Sequence, residues 1–202
     1  MTKIKICGLS RPCDIESVNE AKPDFCGFII NVPKSKRNVS PDTVLQLVKN
    51  LSPDVKPVGV FVNAPMDEIA ALTEDGTLAY VQLHGKEDEA YIAALRERIH
   101  VPIIQAFKVS CPEDVAHAQQ SSADYILLDN GSGGTGKTFD WSHLRDITRP
   151  YILAGGLGPD NLGLAVSQLA PWGVDLSSGV ETGGFKDKNK VLAAVQAVRA
   201  TL

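Results

Sequence analysis

The chain has 202 residues, of which 44% are hydrophobic and 22% are charged, and its formal net charge is −4. These values are typical of a globular protein with a buried core, and the acidic balance disfavours a basic nucleic-acid interface. The apolar runs are too short to cross a bilayer and the first residues lack a signal-peptide pattern, so we expect a cytoplasmic protein with no membrane partner.

The first half of the chain alternates short β-branched runs with segments of helical periodicity. The order predicts strands at 3–7, 25–30, 57–62 and 79–85, followed in turn by helices at 12–21, 40–51, 66–74 and 87–99. Ser40 and Pro41 suit the N-cap and the first turn of the second helix. Regular alternation of strand and helix is the pattern of an α/β protein.

The second half repeats the same alternation. It predicts strands at 102–107, 124–129, 151–156 and 173–178, followed in turn by helices at 112–121, 140–147, 159–169 and 188–200. The strands are rich in Val, Ile and Leu, as parallel strands buried on both faces are. No linker divides the chain, so we predict one α/β domain over residues 1–202. Eight units favour a closed (β/α)₈ barrel, and an open doubly wound sheet is the alternative.

Polar residues lie at the ends of several predicted strands, where the active site of a (β/α)₈ barrel is built. Cys7 ends the first strand and Asp129 ends the sixth. The expected substrate contacts are Gln82 and His84, at the end of the fourth strand, and Asp175, on the eighth. The alternative is a structural role, because a buried cysteine is usually only a small hydrophobe and polar side chains can simply fill the upper layer of a barrel.

Glycine-rich turns follow the last two predicted strands, in "LAGGL" (153–157) and "SSGVE" (177–181). Backbone N–H groups of such turns can approach an anion closely, and barrels often bind phosphate after strands 7 and 8. The expected phosphate-binding residues are Gly155, Gly156, Ser178 and Gly179. The alternative is that these glycines only make tight strand-to-helix turns.

A long glycine-rich loop, residues 129–141, follows the sixth predicted strand. Residues 131–138 fit the pattern GxxxxGK[ST], but a P-loop requires a helix to start at its lysine, here Lys137. Phe139 and Asp140 intervene before the next helical segment. We therefore expect a mobile lid over a small substrate rather than a nucleotide site.

Nine short motifs occur in order along nearly the whole chain. They are "KICGL" (5–9), "GFII…PKSKR" (27–37), "VGVFVN" (58–63), "VQLHG" (81–85), "LLD" (127–129), "GGTGKTFDW" (133–141), "AGGL" (154–157), "VDLSSGVE" (174–181) and "GGFKD" (183–187). Their joint order resembles the phosphoribosylanthranilate isomerase family of tryptophan biosynthesis. The resemblance implies a (β/α)₈ barrel that converts N-(5-phosphoribosyl)anthranilate to 1-(2-carboxyphenylamino)-1-deoxyribulose 5-phosphate by an Amadori rearrangement.

The resemblance also implies roles for three residues and no cofactor. Cys7 is expected to be the general base and Asp129 the general acid. Arg37 is expected to hold the anthranilate carboxylate, which suits a bidentate guanidinium. The four cysteines lack the CxxC spacing of a zinc site, so we expect no metal. The expected partner is the small phosphosugar–anthranilate substrate, bound by a monomer or a homodimer.

The expected acid and base need different adjustments of their pKa values. A free cysteine, with a pKa of about 8.5, is a few per cent thiolate at pH 7, whereas a free aspartic acid, with a pKa of about 3.9, is protonated in only about one molecule in a thousand. We therefore expect the pKa of Asp129 to be the more strongly shifted, through burial behind "YILL". A nearby Lys5 or anion-binding dipoles would help to ionise Cys7, and Lys5 shares a face with Cys7 only if both side chains point into the barrel.

Two other functions would use the same scaffold. An isomerase of another aldose phosphate, as in histidine biosynthesis, is expected to carry aspartates at strands 1 and 5. Here the first strand carries Cys7 and the fifth ends in "QAFKV" without a carboxylate. A non-catalytic barrel that binds a phosphate ligand would need the glycine-rich turns but not the acid–base pair. Loss of turnover without loss of binding in a Cys7 variant would separate a catalyst from such a protein.

Overall fold

The computed structural model describes residues 1–130 and 140–201, and eight of its strands form one parallel barrel. In chain order these are β1 (Lys3–Cys7), β2 (Phe25–Ile30), β3 (Lys56–Phe61), β4 (Tyr80–Leu83), β5 (Ile103–Val109), β6 (Tyr125–Asn130), β7 (Tyr151–Leu153) and β8 (Gly173–Leu176). Because β1 pairs with both β2 and β8, the sheet closes on itself. The barrel prediction is confirmed, and the open sheet does not form.

In the described part of the chain, six α-helices connect the strands and a seventh follows β8. They are α1 (Pro12–Ala21), α2 (Pro41–Val48), α3 (Met66–Glu74), α4 (Glu89–Arg96), α5 (Pro112–Ala118), α6 (Pro159–Leu169) and α7 (Lys188–Ala200). Their starts follow local signals, since Ser40 caps α2 by accepting the N–H of Thr43 at 3.2 Å. No helix among the described residues is both long enough and apolar enough to cross a membrane.

The α-helix predicted at 140–147 does not form. A single 3₁₀ turn, Trp141–Leu144, stands in its place, and Asp140 caps this turn by accepting the N–H of Ser142 at 2.9 Å. Within this short segment only Leu144 is fully buried, which offers too little apolar surface to hold an α-helix against the barrel. Residues 131–139, which include the predicted lid and the P-loop-like run, lie outside the described residues.

The chain after β8 takes a more irregular path than the predicted strand at 173–178. A short 3₁₀ helix, Ser178–Val180, follows β8 and leads into a hairpin made by Glu181–Thr182 and Phe185–Lys186. Gly183 and Gly184 make the hairpin turn with φ values of 62° and 85°, a conformation that glycine adopts without strain. The hairpin lies beside the C-terminal end of the barrel, where it contacts Arg37 and Ser177, and α7 follows it.

The interior of the barrel changes from apolar to polar along its axis. At the N-terminal end, four rings form a closed circuit in which neighbouring centroids lie 4.3 to 6.3 Å apart. This aromatic layer consists of Phe25, Tyr80, Tyr125 and Trp172. Apolar side chains such as Val58, Ile104 and Leu127 fill the middle. The polar side chains are therefore concentrated at the C-terminal end, where the loops after the strands surround them.

Candidate active site

A cavity of about 160 Å³ opens at the C-terminal end of the barrel. Its lining includes Cys7, Arg37, Gln82, His84, Asp129, Gly155, Gly156, Asp175, Ser177 and Ser178. The fold thus brings together nine of the ten residues expected from the sequence. The tenth, Gly179, lines an adjoining cavity of about 670 Å³ that also contains Gly156 and Ser178. The two cavities share the turns after β7 and β8.

Cys7 occupies the last position of β1 and lies almost completely buried. Gly27 on β2 makes room for it, because a Cβ atom at Gly27 would stand 2.8 Å from Sγ of Cys7 and 3.1 Å from Nζ of Lys5. Both side chains therefore point into the barrel. Burial raises the pKa of Cys7, while the charge of Lys5 works in the opposite direction and that of Asp175 adds to the rise. The group is a thiol at neutral pH.

Lys5 forms an ion pair inside the barrel. Its Nζ lies 3.0 Å from Oδ1 of Asp175, and the two side chains are 2% and 10% exposed. Burial works to lower the pKa of Lys5, but the neighbouring Asp175 and Cys7 outweigh it and hold this pKa above its ordinary value. Lys5 is consequently a permanent ammonium group beside the thiol.

Asp129 lies near the end of β6 with its side chain 18% exposed. Burial, followed by the charge of Asp175, raises the pKa of Asp129 to about 6, although the N–H of Asn130 and two lysines oppose the shift. Gly155 packs against this carboxylate, since a Cβ atom there would stand 2.8 Å from Oδ1 of Asp129. Gly155 also has a φ of 88°, so the turn after β7 requires glycine for two independent reasons.

Gln82 and His84 approach Asp129 from β4 and the residue that follows it. Nε2 of Gln82 lies 2.9 Å from Nδ1 of His84, and Nε2 of His84 lies 3.8 Å from Oδ2 of Asp129. Burial, and then the charge of Lys5, lower the pKa of His84, so the imidazole is neutral at pH 7. The buried Oε1 of Gln82 finds no hydrogen-bond partner among the described residues and is available to a bound molecule.

Arg37 reaches the cavity from the loop after β2. Its Nε and Nη2 donate to the two carboxylate oxygens of Glu181 at 2.6 and 2.7 Å. Gly8 permits this approach, because a Cβ atom there would stand 2.4 Å from Cδ of Arg37. Two nitrogen atoms of the guanidinium thus donate to Glu181, and Arg37 also lines the cavity.

Glu181 and Lys186 were not singled out from the sequence, although both fall within the motifs after β8. Nζ of Lys186 contacts Glu181 and also donates to the carbonyl oxygen of Ser177 at 3.1 Å. The hydroxyl of Ser177 in turn donates to the carbonyl oxygen of Cys7 at 3.1 Å. Burial works to raise the pKa of Glu181, but Arg37 and Lys186 hold it below its ordinary value, so Glu181 is a carboxylate. The hairpin therefore links Arg37 to the backbone at Cys7.

The turns after β7 and β8 contact each other through their backbones. A Cβ atom at Gly179 would stand only 1.9 Å from the carbonyl oxygen of Leu157, so no larger residue fits there. Gly156 has a φ of 66°, a conformation that glycine adopts without strain. Asn161 and Lys190 line the same adjoining cavity from the first turns of α6 and α7. Such a cavity, with glycine backbone and a lysine in its wall, suits an oxyanion.

Comparison with known proteins identifies the family. The family model for N-(5'-phosphoribosyl)anthranilate (PRA) isomerase matches residues 4–197. The chain belongs to this family. A family member from Endomicrobium trichonymphae, N-(5'-phosphoribosyl)anthranilate isomerase, is 46% identical over 99% of this chain and 100% of its own length. The chain described here is accordingly an isomerase.

Two solved structures of family members superpose closely on this isomerase. A phosphoribosyl anthranilate isomerase in complex with reduced 1-(o-carboxyphenylamino)-1-deoxyribulose 5-phosphate gives a TM-score of 0.86 at 35% identity, covering 99% of this chain and 100% of the other. Monomers generated from the dimeric enzyme of Thermotoga maritima give 0.86 at 36% identity with the same coverage. The barrel fold is therefore shared with these relatives.

Proposed function

We propose that the enzyme converts N-(5-phosphoribosyl)anthranilate to 1-(2-carboxyphenylamino)-1-deoxyribulose 5-phosphate in tryptophan biosynthesis, with Cys7 as general base and Asp129 as general acid. The observation that carries the proposal is that one small cavity is lined by both a buried thiol and a carboxyl of raised pKa. The rearrangement needs one proton donor and one proton acceptor at separate positions, and no cofactor enters it. Family membership supports the choice of substrate.

Asp129 donates the proton that opens the sugar ring. The furanose oxygen must leave C1 as a hydroxyl, which yields a protonated Schiff base between C1 and the anthranilate nitrogen. With a pKa of about 6, roughly one Asp129 in ten is protonated at pH 7, about a hundredfold more than for a free aspartate. Burial therefore supplies the acid that an exposed carboxylate would not provide.

Cys7 then accepts the proton from C2 of the Schiff base. The positive charge on the imine makes this C–H bond acidic, and its electrons move toward nitrogen to give an enolamine. Tautomerisation of the enolamine yields the ketone of the product. Cys7 must be a thiolate at this step, although burial keeps it a thiol at rest. The barrier therefore includes the cost of ionising the thiol.

Arg37 binds the anthranilate carboxylate through the N–H groups that Glu181 leaves free. Glu181 holds the guanidinium in one orientation through two short hydrogen bonds, so little side-chain entropy is lost when substrate binds. Gln82, His84 and Asp175 contact the hydroxyl groups of the sugar. The free Oε1 of Gln82 supports this assignment, since a buried acceptor without a partner is costly unless a ligand donates to it.

Gly155, Gly156, Ser178 and Gly179 bind the phosphate of the substrate. The support is that the turns after β7 and β8 border both cavities and contribute glycine residues to their walls. Glycine turns let several N–H groups converge on a single oxyanion. The substrate is then held at both of its anionic ends, with the phosphate at these turns and the anthranilate carboxylate at Arg37.

We further propose that residues 1–202 form one domain that works in the cytoplasm as a monomer or a homodimer. The uninterrupted alternation of strands and helices supports one domain. All four cysteines are free, which suits a reducing compartment. Gel filtration with light scattering would decide between monomer and dimer.

The activity is tested with freshly generated phosphoribosylanthranilate, whose fluorescence disappears on conversion. We expect turnover in the wild type and a loss of about 10²- to 10⁴-fold in kcat for Cys7→Ala, the range for removal of a general base. Cys26→Ala is the matched control: this thiol is buried in the apolar core and does not line the cavity, so we expect unchanged turnover.

Binding of the reduced product analogue separates catalysis from ligand sensing. We expect Cys7→Ala to bind the analogue as tightly as the wild type does. Absence of turnover in the wild type, together with tight binding, would instead indicate a non-catalytic phosphate-ligand protein. Turnover of another aldose phosphate in preference to phosphoribosylanthranilate would indicate a different sugar-phosphate isomerase.

A further inference from the structure

We propose that the buried Lys5–Asp175 ion pair positions its two charges so that one proton is shifted from the sulfur of Cys7 toward the carboxylate of Asp129. The pair thereby favours the form of the site in which Cys7 is the base and Asp129 is the acid. The inference rests on the proposed function, because it explains how the working acid and base arise together. Lys5 does not line the cavity and therefore acts through Cys7 rather than on substrate. Sequence and fold together place the pair at the boundary between the apolar core and the site.

The backbone register fixes the ion pair between the two groups. Lys5 and Asp175 are directly opposite each other on β1 and β8, and Nζ lies 3.0 Å from Oδ1. Cys7 follows Lys5 by two residues and points to the same face of β1. Gly27 lies against both side chains, so the ammonium group stands beside the sulfur.

The negative end of the pair faces the acid. Leu153 of β7 pairs with Leu128 of β6 on one side and with Val174 of β8 on the other. The next residues along β6 and β8 are Asp129 and Asp175, which therefore stand at the same height on either side of β7. Both line the same cavity. The ion pair thus presents its cation to the thiol and its anion to the carboxyl group.

Each end of the pair acts most strongly on the group nearest to it. Among the charges that act on the pKa of Cys7, the lowering by Lys5 exceeds the raising by Asp175. Among those that act on the pKa of Asp129, the raising by Asp175 exceeds the lowering by Lys5. In the described part of the chain, the other charged or titratable groups that interact with these two are Lys186, Arg37 and Cys26 for Cys7, and His84 and Lys108 for Asp129.

The resting and working forms of the site carry the same number of protons. At rest Cys7 is a thiol and Asp129 is mostly a carboxylate; in the working form Cys7 is a thiolate and Asp129 a carboxylic acid. One proton leaves Sγ and joins the carboxylate, with no other bond changed and no change in net charge. The fraction of enzyme in the working form depends only on the difference between the two pKa values. The ion pair lowers the pKa of Cys7 and raises that of Asp129, so it brings the two values closer together and increases the fraction of enzyme in the working form.

The decisive variant is Lys5→Met, which keeps the length of the side chain and removes its charge. Loss of an opposite charge this close raises the thiol pKa by roughly 1 to 3 units. We expect kcat/KM to fall by the corresponding factor, about 10- to 1,000-fold, across the whole pH plateau rather than at one edge. In the pH profile of kcat/KM, the apparent pKa of the alkaline limb should rise more than that of the acid limb. The affinity for the reduced product analogue should stay within about threefold of the wild-type value.

The thiol is titrated independently of turnover. Iodoacetamide alkylation of Cys7, followed by mass spectrometry across pH in a Cys13→Ser/Cys111→Ser background, gives the midpoint of thiolate formation. We expect this midpoint to rise in Lys5→Met and to stay at the wild-type value in Lys5→Arg. Lys3→Met is the matched control on the same strand, since Lys3 is exposed and pairs with Asp24. It should alter neither the midpoint nor kcat/KM.

Lys5→Met leaves Asp175 buried without its partner, so a second variant guards against misfolding. The double variant Lys5→Met/Asp175→Asn removes both charges and is expected to raise the Cys7 midpoint and lower the acid limb set by Asp129. An unchanged Cys7 midpoint in a folded variant, with or without lost turnover, overturns the proposal. Full activity of Cys7→Ala would instead overturn the proposed function, so the two failures are distinct.

Discussion

At both ends of the barrel interior, inward-facing strand positions carry buried side chains, but the side chains are aromatic at one end and ionisable at the other. At the N-terminal end these positions hold the aromatic layer, in which Phe25 and Tyr80 meet edge to face at a centroid distance of 5.0 Å. At the C-terminal end they hold Lys5, Cys7 and Asp129, all largely buried. Burial stabilises the first set and raises the free energy of the ionised groups in the second. The packing that stabilises the fold and the proposed acid–base chemistry are therefore separated along the barrel axis.

The largest effect on stability is expected at the apolar end. Phe25→Ala removes a buried ring that contacts Tyr80 and Trp172, and the loss of burial together with the remaining cavity costs about 3 to 5 kcal/mol in the free energy of unfolding. Urea denaturation measures this loss. Below the unfolding transition kcat should stay within about twofold, because no residue of the aromatic layer lines the active-site cavity.

Phe25→Leu is the control for this comparison, because it keeps most of the buried volume and should lose much less stability. A large fall in kcat for folded Phe25→Ala would break the separation between the two ends. It would mean that packing at the N-terminal end sets the geometry of the strand ends.

A smaller effect is expected when the guanidinium of Arg37 is replaced by an ammonium group. Arg37→Lys keeps the positive charge but loses the fork that binds Glu181 and that we propose also binds the substrate carboxylate. Loss of a charge-assisted hydrogen bond of about 1.5 to 3 kcal/mol predicts a rise in KM of about 10- to 150-fold. Steady-state kinetics should show kcat reduced much less than KM is raised.

A product analogue without the anthranilate carboxylate provides the control for Arg37. Its affinity should be equal for the wild type and Arg37→Lys. An equal loss of affinity for both analogues would show that Arg37 acts through the hairpin rather than on the carboxylate.

The sequence predicted the barrel well because its signals are local and repeated. Most strands are rich in buried Val, Ile and Leu, and turns or prolines bound most helices. The segment at 140–147 misled the prediction, since its spacing is helical but only Leu144 is fully buried. The rule that barrels work at the C-terminal ends of their strands then led to residues as distant as Cys7 and Asp129.

Two side-chain contacts between distant segments of the site were not predictable from local patterns. Lys5 meets Asp175 because β1 and β8 pair in one register, and the two residues are 170 positions apart. Glu181 reaches Arg37 only because the chain after β8 turns back as a hairpin. Both contacts depend on how distant segments pack, and motif matching gave these residues no partner.

The smallest predicted effect is on the free energy of unfolding, which the buried charge of Asp129 lowers at high pH. The folded-state pKa of Asp129 is about 6, above its unfolded value near 3.8, so the native state binds this proton more tightly. The contribution of Asp129 to stability is therefore fully favourable below about pH 4 and is lost as the pH rises through 6. At pH 8 the buried charge destabilises the native state.

Asp129→Asn should remove this cost. We expect the variant to be more stable than the wild type by about 1 to 3 kcal/mol at pH 8, and the gain to shrink toward zero near pH 4. Urea denaturation at both pH values measures the difference, with the exposed Asp54→Asn as a control that should show no such pH dependence. If Asp129→Asn destabilised the protein equally at both pH values, the carboxylate would be a structural hydrogen-bond acceptor. Burial would then not raise the pKa of Asp129, and the carboxyl group would lack the property that the proposed general acid requires.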